Sequence, residues 1–173
     1  MSYSANEIMT LAQKAARGAG FPPAQAELFG RAAVQHLAAG GEIGALTGAL
    51  ASQTNSPILR LPLVMEDILR ALPLAGPEIT LTLHPDDVAL AESYARLLPL
   101  RLKACTVTRQ AGHPPRLSIT GSIAQRTRAT LPARIEAPEP LIESLSRLAA
   151  ETYVPASAAS RSVGAGAGDI DND

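Results

Sequence analysis

Polar and apolar positions along this chain change period near its middle. Ile8, Leu11, Ala12, Ala15 and Ala16 recur at helical spacing behind Ser4-Ala5-Asn6-Glu7, which has the form of a capping box. Gly18-Ala19-Gly20 stops that helix. Phe21-Pro22-Pro23 starts a second, with Ala26, Phe29, Gly30, Ala33 and Leu37 on one stripe, and Gly40-Gly41 ends it. Glu42 to Ala51 reads as a third helix, Ser52 to Pro57 as a loop, and Met65 to Leu72 as a short helix stopped by Pro73. Pro73 to Glu78 then reads as a linker.

Beyond it, Ile79, Leu81 and Leu83 alternate with Thr80, Thr82 and His84, the period of a half-buried strand. Pro85-Asp86-Asp87 opens a helix, with carboxylates placed to cap its first turn, and Pro99 stops it. Arg101 to Arg109 and Arg116 to Gly121 form a hairpin about a turn at Gln110 to Pro115. Ala129 to Glu136 reads as a fourth strand, placed at an edge because Pro132 cannot donate to a ladder. Pro138 to Tyr153 is a final helix burying Leu141, Leu145, Leu148 and Ala149. Glu27–Arg31 and Glu143–Arg147 are spaced for external ion pairs. The pattern predicts an α+β fold: a helical N-terminal half, then a small four-stranded sheet covered by two helices. It divides the chain into a helical region (1–73), a small α+β region (74–154) and a Gly-rich tail (155–173), together one compact domain.

Composition sharpens this. Apolar residues are 46% of the 173, but aromatics only 3%, so Ala, Leu, Ile and Val must build the core and few rings are left to stack on bases. Net charge is -1 and no run of Lys or Arg stands out, which points away from nucleic acid. No stretch approaches the roughly 20 apolar residues of a membrane span. A lone cysteine, Cys105, fits a reducing compartment, and the chain is expected to be soluble and cytoplasmic.

The opening SANEIMTLAQKAARGAGFPPAQAELFGRAAVQHLA and the ending VPASAASRSVGAGAGDIDND resemble a family of short, functionally uncharacterised bacterial proteins. The first two helices are also similar to the N-terminal helices of the malate/lactate/ureidoglycolate dehydrogenase family. His36-Leu37-Ala38-Ala39-Gly40-Gly41 stands where that family has a Ser-His-Gly element. The resemblance therefore implies no catalytic residue and no cofactor here.

Candidate chemistry is sparse. His36, His84, His113 and Cys105 are scattered, so no metal site is expected. Cys105 lies mid-strand as a packed, inert thiol. Gly30, mid-helix on the apolar stripe, marks the close approach of a neighbouring backbone, and His36 a half-buried, hydrogen-bonded ring. The concentration of polar chemistry is the tail. Ser157 and Ser160 offer hydroxyls, and Arg161 a planar fork for a carboxylate or phosphate. Gly164, Gly166 and Gly168 could let amides converge on an anion. Asp169, Asp171 and Asn172 close the set.

Two readings follow. The first is a non-catalytic interaction or accessory subunit, as a homo-oligomer or with a protein partner. The second is a small-molecule enzyme or ligand-binding protein that holds an anionic metabolite with Arg161 and the glycines.

Overall fold

A computed structural model describes residues 1–123 and 131–152. The fold is α+β, with six helices and two small antiparallel sheets among the described residues. Strand β1 (Ser2–Ser4) runs into α1 (Ala5–Gly18). The expected capping box closes it: Ser4 N–H donates to Glu7 Oε2 at 2.7 Å, and Glu7 N–H to Ser4 Oγ at 3.2 Å. Helices α2 (Pro23–Ala38) and α3 (Ile43–Leu50) follow within a residue or two of their expected limits.

Helix α4 corrects the sequence reading. It spans Pro57–Ala75, not Met65–Leu72, and carries Pro62 and Pro73 inside it. Ser56 starts it: its Oγ accepts from Ile58 N–H at 3.1 Å and donates to the Ala49 carbonyl at 2.5 Å. A proline inside a helix costs about 3 kcal/mol. Ile58, Leu61, Met65, Ile68 and Leu72 are buried along α4, and each such side chain contributes about 1.5–3 kcal/mol. Burial wins, and the helix continues through Pro62.

Three strands form the larger sheet: β2 (Glu78–Thr82), β3 (Arg101–Thr108) and β4 (Arg116–Ser122), in the order β2-β4-β3. Helix α5 (Val88–Ala95), entered through a 3-10 turn at Pro85–Asp87, connects β2 to β3. β2 and β3 therefore run parallel with β4 between them, a split β-α-β unit. The expected fourth strand does not join this sheet. Among the described residues of that stretch, Arg134–Glu136 forms a strand, β5, and it pairs antiparallel with β1 in a second sheet of two. Arg134 Nε donates to Ser2 Oγ at 2.9 Å, and Ala137 N–H to the Met1 carbonyl at 2.9 Å, which fixes that register. Helix α6 (Glu139–Ala150) then packs on α1.

One apolar cluster runs from Ile8 to Leu145 and takes side chains from helices and both sheets. Small residues let its helices approach. A methyl group on Gly30 would lie 2.6 Å from the Met9 carbonyl oxygen, so α1 and α2 touch backbone to side, as the mid-helix glycine suggested. Gly18 likewise admits the Leu148 carbonyl of α6; a methyl there would sit 1.7 Å away. The helical i,i+4 ion pair among the described residues is Arg70–Glu66 at 3.2 Å, not Glu27–Arg31 or Glu143–Arg147.

Candidate functional site: the exposed face and open edge of the larger sheet

The tail positions Ser157, Ser160, Arg161, Gly164, Gly166, Gly168, Asp169, Asp171 and Asn172 lie outside the described residues. Polar chemistry within them falls into three places.

Two are structural joints. His36 is buried, with Nε2 donating to the Glu42 carbonyl at 2.9 Å and Nδ1 facing Ser93 Oγ at 3.4 Å. It links the end of α2 to the start of α3 and to α5, so it is more deeply buried than the half-buried ring expected. Asp87 is 1% exposed and does not cap α5. Arg60 of α4 grips it, with Nε 3.0 Å from both carboxylate oxygens and Nη2 2.6 Å from Oδ1. The 3-10 turn is capped instead by His84, whose Nδ1 accepts from Asp86 N–H at 3.2 Å. The Tyr94 hydroxyl is buried with no hydrogen-bond partner among the described residues. Burial, reinforced by the Asp87 carboxylate, pushes its ionisation well above the ordinary phenol range.

An open cleft of about 470 Å³ lies between the end of α2 and the β5–α6 connection, lined by Leu37, Gly41, Ile43, Arg134 and Pro138 among others. Its one guanidinium, Arg134, is turned onto Ser2. Other polar atoms of its lining close the end of α2, where Gly40 N–H donates to the Leu37 carbonyl and Gly41 N–H to the His36 carbonyl.

The third place is the larger sheet. Its inner face, Ile79, Leu117 and Ile119, is sealed by α4 and α5. Its outer face is built from three repeats of one pattern: Thr80-Leu81-Thr82 on β2, Thr106-Val107-Thr108 on β3 and Ser118-Ile119-Thr120 on β4. Alternation turns the hydroxyls outward. Register aligns them in rows: Thr80, Ser118 and Thr106 across the three strands, then Thr82, Arg116 and Thr108. Thr80 Oγ1 and Ser118 Oγ are 3.0 Å apart. Neighbouring strands about 4.8 Å apart bring these hydroxyls side by side.

Charge gathers at the same place. From Ser93 to Ile135 the chain has eight of its fifteen basic residues and no Asp or Glu. Arg101, Lys103, Arg109 and Arg116 all belong to the β3–β4 hairpin and are exposed. Lys103, Arg109 and Arg116 make no ion pair among the described residues. These cations stand singly, two to seven positions apart, so no run marks them. The usable signal is the long carboxylate-free interval, which the reading of the sequence passed over.

Among the described residues, β3 has a strand neighbour on one side only. Every second residue of such an edge turns its N–H and C=O away from the sheet. A β-bulge between Leu102 and Ala104, with Lys103 as the extra residue, interrupts its first half. Ala104–Thr108 remains in continuous register. Cys105 sits in that stretch, partly buried. Burial pushes its thiol up to about 11, with the Glu92 carboxylate adding to the shift and Arg96 opposing it. It is protonated and inert at neutral pH, as its strand position suggested.

Among the described residues, no group of three or more His, Cys, Asp or Glu is placed to hold a metal ion, and no helix is long and apolar enough to cross a membrane. Comparisons with family models, curated proteins and solved structures found no match to this chain.

Proposed function

We propose that this protein is a non-catalytic accessory subunit that binds another protein through its three-stranded sheet. One observation carries the reading. The sheet is packed on one face and presents, on the other, aligned hydroxyls beside a cationic edge whose backbone groups face outward. An open edge of regular strand is a template for pairing with another chain. The hydroxyls supply donors and acceptors at little desolvation cost. The small-residue helical layer, with Gly18 and Gly30 at its contacts, is the rigid support.

Site-directed photo-crosslinking tests this. A benzophenone-bearing amino acid replaces Thr106 at the sheet edge or, as a control, Glu66 on the exposed side of α4. In extracts of the cells that make the protein, position 106 is expected to give one or a few defined adducts that position 66 lacks. No adduct at 106, or the same pattern at both positions, overturns the proposal.

A further inference from the structure

We infer that the β3 edge takes an acidic, extended segment of a partner protein as an added strand. This rests on the reading of the sheet as the recognition surface and names the chemistry of what binds there. Three features converge on it. First, Ala104–Thr108 is five residues of regular edge, long enough for a short strand to pair with. Second, Lys103 and Arg109 bracket that stretch. Six residues of strand separate them by about 20 Å, so carboxylates near both ends of a peptide would meet both cations. Third, the hairpin itself carries no carboxylate to compete for these cations; the acid that acts on this stretch, Glu92 on the Cys105 thiol, comes from α5.

Charge also selects against a second copy of this chain pairing through β3 in the register centred on Thr106. Antiparallel pairing of β3 with itself about Thr106 would set Lys103 directly across from the partner strand's Arg109, twice per dimer. Like charges opposite one another destabilise a strand pair. An acidic strand converts both clashes into attractions.

Binding is measured with the full chain and a fluorescent ten-residue peptide of alternating Asp and Val, read by anisotropy. The Asp peptide is expected to bind at least tenfold more tightly than its Asn counterpart, and to weaken as salt rises from 50 to 300 mM. Lys103→Glu with Arg109→Glu is expected to weaken it at least tenfold, while Arg31→Glu on α2 leaves it unchanged; thermal melts confirm that each variant is folded. Strand addition needs the peptide's own amides, so N-methylation at every second residue is expected to abolish binding. Equal binding of the Asn or N-methylated peptide, or indifference to the double reversal, overturns the inference. So does a DNA duplex that binds more tightly than the peptide and displaces it. If the peptide fails while position 106 still gives its adduct, the edge is a recognition surface for another chemistry; if both fail, the sheet reading falls too.

Discussion

Cys105 shows how one residue's surroundings settle its role. It sits on the β3 edge, with a thiol that burial and Glu92 hold up to about 11. Raising a thiol from 9.0 to about 11 lowers its thiolate fraction at pH 7.5 roughly a hundredfold. Alkylation by iodoacetamide at that pH should therefore run about a hundredfold below a free cysteine. The rate should climb about tenfold per pH unit past 9. A rate that levels off by about pH 10 would mean the thiol is not perturbed. The linkage has a definite sign. The native state favours the protonated thiol, so its contribution to stability is complete below about pH 9 and is lost as pH rises through about 11.

At the scale of elements, the joint between α4 and the turn before α5 holds the support of the sheet. Arg60 and Asp87 form a bidentate pair with the carboxylate almost fully enclosed. Removing one partner strands a buried charge, which costs about 3–5 kcal/mol, whereas replacing both with apolar groups is often near neutral. Arg60→Met should lower urea-unfolding stability by about that amount, and Arg60→Met with Asp87→Leu should recover most of it. A single variant that loses less than about 1 kcal/mol would show that the pair is not what fixes this joint. Asp86 and Asp87 stand in the first turn, as expected, but the Asp87 side chain makes no cap hydrogen bond. A capping carboxylate and a buried ion-pair carboxylate look alike in sequence, and the partner lies 27 residues away.

For the whole molecule, what could be read from sequence was what is local. The capping box at Ser4 and Glu7, the stripe of α2 and the alternation of β2 each depend on residues within a turn or two. In sequence Pro62 has the character of a helix breaker, and only tertiary burial of Ile58, Leu61 and Met65 outweighs it. β1 has three residues, too few to show a period, and β5 finds it across more than 130 positions. For the same reason the fourth strand was assigned to the wrong sheet. The surface proposed for recognition is hidden in a similar way. Its hydroxyls and cations are spread over β2, β3 and β4, and pairing alone brings them into rows.

Recognition by sheet addition leaves a mark at the level of single amides. The decisive measurement is hydrogen exchange on the complex isolated through the cross-linked partner, compared with the free protein. New protection should appear at alternate amides of Ala104–Thr108 and leave α1, α2 and α6 as they were. Protection confined to those helices, with β3 exchanging as in the free protein, would contradict the account.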